Sequence, residues 1–190
     1  MQKNELAVYL ILRKQAILYP ELQNLFEEMS KSEYNHAMII SSLLGNKLQL
    51  TANALFSKQQ SITWTKIGWD SSNKNYQIAG LVYEKFFFTK LFFWFQHPNL
   101  YSLIDKLAFM YVLEKFQVNF YRVLSQSENY RKLGLLIEDE AEHTEKLLTE
   151  LKKLTPNYQR IIIKWECRKI LSILGIVLES VIIFIELLHS

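Results

Sequence analysis

Two of the four histidines stand three residues after a glutamate, in Glu33-Tyr34-Asn35-His36 and Glu140-Ala141-Glu142-His143. On a helix, positions i and i+3 share a face, so each pair can aim a carboxylate and an imidazole at one point. The surrounding pattern predicts that both pairs are helical and face inward. Leu22, Leu25, Phe26 and Met29 precede the first pair, and Ile40 and Leu43 follow it. Leu133, Leu136 and Ile137 precede the second, and Leu147, Leu151 and Leu154 follow it. In each case the Glu-His pair fills a gap in an apolar stripe of helical period.

Two more glutamates sit in stripes of the same kind. Glu114 falls between Leu103, Leu107, Met110 and Val118, Tyr121, and Glu5 precedes Val8, Tyr9, Leu12 and Ala16. Converging buried carboxylates without compensating charge would be very unfavourable, and a pair of metal cations supplies that charge. Two Glu-x-x-His pairs with one glutamate from each of two other helices form the ligand set of dinuclear sites in four-helix bundles. Carboxylate and imidazole ligands suit iron, with manganese as the alternative, better than zinc or calcium. The expected metal ligands are therefore Glu5, Glu33, His36, Glu114, Glu140 and His143. Glu84 competes with Glu114, but its neighbours Lys85 and Lys90 could simply pair with it. Glu114 lies 26 residues before Glu140, as Glu5 lies 28 before Glu33, so each half repeats one layout.

Each Glu-His pair taken alone is equally well explained as part of a solvated helix face. The six positions together, in stripe register, favour the metal reading. Gln15, Gln117, Tyr121 and Asp139 are further polar residues that could face inward. Tyr121 could line an oxygen pocket or be ordinary core. Asp139 could accept the second ring N–H of a metal-bound histidine or be solvated.

The rest of the chain fits an all-α fold. It has 190 residues, 49% hydrophobic and 22% charged, which is enough for a real core. Five Gly and three Pro are few for a turn-rich β fold. A single cysteine, Cys167, excludes an internal disulfide framework and a cysteine-rich zinc site. Helices are expected over 3–18, 21–44, 77–96, 101–126, 130–153 and from Pro156 to about 188. Their stops are marked by Pro20, Gly45, His97-Pro98, Ser127-Glu128-Asn129 and Thr155-Pro156. The expected division is a metal-binding bundle over 1–155 and a C-terminal apolar helix over 156–190.

The chain resembles the ferritin-like di-iron carboxylate proteins, and among them the demethoxyubiquinone hydroxylases of quinone biosynthesis. Gln15 follows Glu5 by ten residues, Met29 precedes Glu33 by four, and Tyr121 follows Glu114 by seven. Asp139-Glu140-Ala141-Glu142-His143 is similar to that family's last metal motif, and Ile162-Ile163-Lys164-Trp165-Glu166-Cys167-Arg168 to its closing helix. The segment between His36 and Glu114 is longer than in the family, and the hairpin between Glu114 and Glu140 is shorter. The resemblance implies a ferritin-like four-helix bundle with an extra aromatic-rich crossover helix and a C-terminal apolar helix. It implies two iron ions, dioxygen as co-substrate, an external electron donor, and hydroxylation of a lipophilic aromatic substrate such as a ubiquinone precursor. Related bundles act on aldehydes, tetrapyrroles or tRNA, and a non-catalytic iron-binding role is a further alternative.

Two greasy segments bear on partners. Phe86, Phe87, Phe88, Phe92, Phe93, Trp94 and Phe95 fall within ten residues, as a crossover helix or as a wall for an apolar substrate. Residues 170–188 are nearly all apolar, but Glu179 stands in the middle, where an acid in a bilayer costs about 2.5–3.5 kcal/mol. The expectation is a helix that packs on the bundle and touches a membrane peripherally, on its cytoplasmic face. The formal charge of +3 and the absence of a basic arm argue against a nucleic-acid partner. No glycine-rich nucleotide motif is present, so electrons come from outside the chain. A homodimer is compatible with all of this.

Overall fold

The computed structural model describes residues 2–44, 87–96 and 100–188. Side chains of residues 2–7, 10, 41, 44, 87–89 and 179–188 lie outside the description, and so does the expected helical stretch 77–86. Among the described residues there are six α-helices and no strand. They are α1 (Gln2–Leu18), α2 (Gln23–Leu44), α3 (Phe87–Phe92), α4 (Leu103–Leu124), α5 (Leu136–Leu154) and α6 (Tyr158–Leu188). Two 3-10 segments, Pro20–Leu22 and Glu128–Leu135, lie between helices.

The chain divides into two compact units. Of the described residues, the first comprises 2–44 and 114–146, and the second 87–96, 100–113 and 147–188. Helices α4 and α5 each run through both.

In the first unit α1 and α2 form a hairpin. Pro20 sits at the first position of the 3-10 turn that joins them, where its missing N–H is no loss. Tyr9 packs on Tyr34 and Tyr19 on Phe26, so the helices run antiparallel. The expected stripe of α2 is buried at Leu22, Phe26, Met29, Ala37 and Ile40. Ile40, Tyr121, Leu133 and Leu136 form one apolar cluster, with Ile39, Leu43, Leu124 and Ile137 packed against it.

The helix expected from residue 130 begins at 136 instead. Residues 128–135 are wound as a 3-10 segment, in which side chains three apart stack directly over one another. That winding lets Leu133 and Leu136 enter the cluster side by side.

In the second unit α3 packs on α6. Its core is aromatic: Trp165 is fully buried, with ring centroids of Phe92, Phe93, Tyr101 and Phe109 between 5.1 and 6.0 Å away. Ser102 begins α4, its Oγ accepting the backbone N–H of Asp105 at 3.1 Å. The Asp105 carboxylate in turn accepts the indole N–H of Trp165 at 3.1 Å and pairs with Lys164. Arg168 lies 4.7 Å above the Trp165 ring and donates to the Tyr101 hydroxyl at 3.0 Å. The greasy run ends differently from expectation: α3 stops at Phe92, and Trp94 and Phe95 take positive φ of 49° and 57°.

Candidate metal centre

Five of the six expected ligands lie together in the first unit, and all five are buried: Glu33, His36, Glu114, Glu140 and His143. The sixth, Glu5, lies on α1, and its side chain falls outside the described residues. Glu84 also lies outside them. Glu33 and His36 come from α2, Glu114 from α4, and Glu140 and His143 from α5. One ligand atom each from Glu33, Glu114, Glu140 and His143 lies within 4.8 Å of the other three, close enough to share a metal ion.

The two histidines sit on either side of two carboxylates. His36 Nδ1 is 3.2 Å from Glu140 Oε1 and 3.8 Å from Glu33 Oε2. His143 Nδ1 is 3.9 Å from the other oxygen of each, Glu140 Oε2 and Glu33 Oε1. Glu33 and Glu140 therefore each turn one oxygen toward each histidine. Glu114 Oε2 stands 3.9 Å from His143 Nδ1, on that side of the cluster. The imidazole centroids are 6.0 Å apart.

Charge in this cluster is out of balance. Both oxygens of Glu33, Oε2 of Glu140 and Nδ1 of His143 are buried without a hydrogen-bond partner. Such groups destabilise the fold unless something answers them. Burial disfavours an imidazolium at His36, but Glu140 and Glu33 outweigh it and push its pKa up to about 11. Burial pushes His143 down, with His36 adding to the effect against the pull of Glu140 and Asp139, so its ring offers a lone pair. Glu140 is held below the ordinary carboxyl value: burial opposes its charge, but Glu114, His36 and His143 favour it. Acidic groups of this density, short of positive charge and of hydrogen-bond donors, fit a metal cation.

A shell of polar residues surrounds the cluster. Asp139 Oδ2 lies 3.2 Å from His36 Nε2, so this carboxylate serves the histidine of the opposite motif. Gln117 Nε2 reaches Glu140 Oε1 at 3.5 Å, and Thr144 Oγ1 donates to the Glu140 backbone carbonyl at 2.8 Å. Gln15 is buried on α1 with no hydrogen bond to its Oε1. Tyr121 is an apolar-cluster residue, packed with Ile40, Leu133 and Leu136.

Lys146 was not among the expected residues; its Nζ lies 2.7 Å from Glu28 and 2.6 Å from Glu142 and so ties α2 to α5. Its only signal was an i,i+4 charge pair with Glu142, common on any solvated helix. Comparison with protein-family models, with curated proteins and with solved structures gives no match. Its described residues are helical, with no strand among them, and they hold a buried Glu/His cluster suited to a metal ion.

Proposed function

We propose that this chain is a di-iron protein that uses dioxygen to hydroxylate a lipophilic aromatic substrate, a ubiquinone precursor by the resemblance described above. The observation that carries the reading is the division of the Glu33 and Glu140 oxygens between His36 and His143. A carboxylate with one oxygen facing each of two nitrogen ligands is placed to bridge two ions. On this reading His36 and His143 would each hold one ion, with Glu33 and Glu140 as shared ligands and Glu114 as a further ligand on the His143 side. Glu5 is the expected counterpart on the His36 side.

Bound there, iron supplies the redox chemistry that activates dioxygen. The protein's own part is positional and electrostatic. Asp139 orients the His36 ring, and Gln117 holds one oxygen of Glu140. Burial of all five ligands keeps bulk water from the reacting centre. Electrons are supplied by an external donor.

The test is metal analysis of purified protein reconstituted with ferrous iron, followed by spectroscopy on exposure to oxygen. Two irons per chain and an oxygen-dependent spectral change are expected, both lost in Glu114→Ala. Iron-free protein, or unchanged metal content in Glu114→Ala, overturns the metal assignment. Iron uptake without oxygen-dependent turnover of a quinone precursor leaves an iron-holding bundle and overturns the hydroxylase assignment.

A further inference from the structure

Helix α6 carries an apolar surface over residues 170–178 that is exposed among the described residues. Ile170, Leu171, Ile173, Leu174, Ile176, Val177 and Leu178 are all exposed, Leu174 at 59% and Val177 at 57%. Of the residues from 170 to 178 only Ser172 and Gly175 are buried. With about 100° between successive residues, the exposed positions sweep roughly 220° of the helix circumference, from Ile176 at one edge to Leu171 at the other. No charged residue interrupts that arc.

The width of the arc selects the occupant. A partner helix buries a stripe of about 100°, so a second copy or another bundle would leave much of this surface in water. A continuous apolar medium covers all of it. Two further observations in the same unit agree. Between Lys152 and Lys169 there are six basic residues and one acid, Glu166, an excess of positive charge just before the apolar stretch. Trp94 and Phe95, 56% and 60% exposed, directly follow Phe93, which packs on Trp165 one turn before the stretch begins. Both have left-handed backbone, an unfavourable conformation for bulky residues. Aromatic and basic residues at the margin of an apolar surface are what the headgroup layer of a membrane accepts.

We propose that α6 docks on an anionic lipid bilayer, with residues 170–178 in the acyl region of one leaflet and Trp94 and Phe95 at the headgroup level. No helix among the described residues is long and apolar enough to cross a membrane. This docking involves the second unit alone and stands or falls independently of the metal centre.

The experiment is flotation of the full chain with vesicles of phosphatidylcholine containing a minority of phosphatidylglycerol. The protein is expected to rise with the lipid, with about tenfold less rising in Leu174→Asp/Val177→Asp. Both substituted positions are exposed, so helix content and metal content should be unchanged in the variant. Brominated lipid should quench tryptophan fluorescence in the parent protein and quench it less in Trp94→Phe. Protein that stays at the bottom of the gradient overturns the proposal, and so does flotation that the double substitution leaves intact. A concentration-dependent dimer abolished by the same variant, without flotation, assigns the surface to a second copy and equally overturns it.

Discussion

Asp139 and His36 are 103 positions apart, yet Oδ2 of one lies 3.2 Å from Nε2 of the other. The contact leaves Nδ1 of His36 facing Glu140 and Glu33, so the aspartate fixes which nitrogen faces the acidic cluster. Asp139→Asn should lower metal affinity by about 10–100-fold, as loss of an outer partner typically does. Because the Asp139 side chain is 50% exposed, unfolding of the metal-free protein should be nearly unchanged. Chelator competition measures the first quantity and urea denaturation the second.

Buried carboxylates short of positive charge weaken the metal-free fold, so a bound cation should stabilise it strongly. Free metal at a hundred times its dissociation constant adds about 2.7 kcal/mol. For a chain of this size that is a rise in Tm of roughly 5–10 °C. Ferrous iron added without oxygen should produce it, manganese to a similar degree, and Glu140→Ala should abolish it. Scanning calorimetry with and without metal checks this.

Asp105 links stability to pH. Burial opposes its charge, but Lys164 and the Trp165 indole N–H hold the carboxyl below its ordinary value of 3.8. A carboxyl lowered by folding contributes its full stability above that ordinary value and loses it as pH falls through the folded one. Asp105→Asn should cost about 1–3 kcal/mol at neutral pH. The gap between parent and variant should stay constant down to about pH 4 and close below it. Denaturant titrations across that range measure the gap.

Leu136 is fully buried in the cluster with Ile40, Tyr121 and Leu133. Leu136→Ala should destabilise by about 2–5 kcal/mol through lost burial and the cavity left behind. Lys146→Ala should cost less than about 1 kcal/mol, since the Glu28 and Glu142 side chains it meets are well exposed. Urea unfolding of both variants side by side tests whether packing outweighs surface ion pairs here.

Helical period alone marked Glu33, His36, Glu140 and His143 as inward, because each fills a gap in an apolar stripe. The choice of Glu114 over Glu84 rested on the repeated layout of the two halves, and Glu114 does join the cluster. Asp139 could not be placed in advance. Its side chain lies at the edge of the buried face, and its partner belongs to another helix, which spacing along the chain cannot reveal. The 3-10 winding of 128–135 escaped for a related reason: the segment has helical composition, and only the packing of Leu133 beside Leu136 decides how tightly it winds. The left-handed turn at Trp94 and Phe95 has no glycine or asparagine to announce it.

Helix α6 is built mostly from isoleucine, leucine and valine, residues that could trade places if the helix slid along its neighbours. The Asp105 carboxylate prevents this. It takes the indole N–H of Trp165 and the ammonium of Lys164 together, while Ser102 ties it to the start of α4. A shift of one residue would bring Glu166 or Ile163 to that carboxylate, the first repelled by it and the second unable to bond to it. The node therefore acts as an index pin, selecting one registration among many greasy ones of similar energy. Its value lies in uniqueness of fold more than in the strength of any single bond.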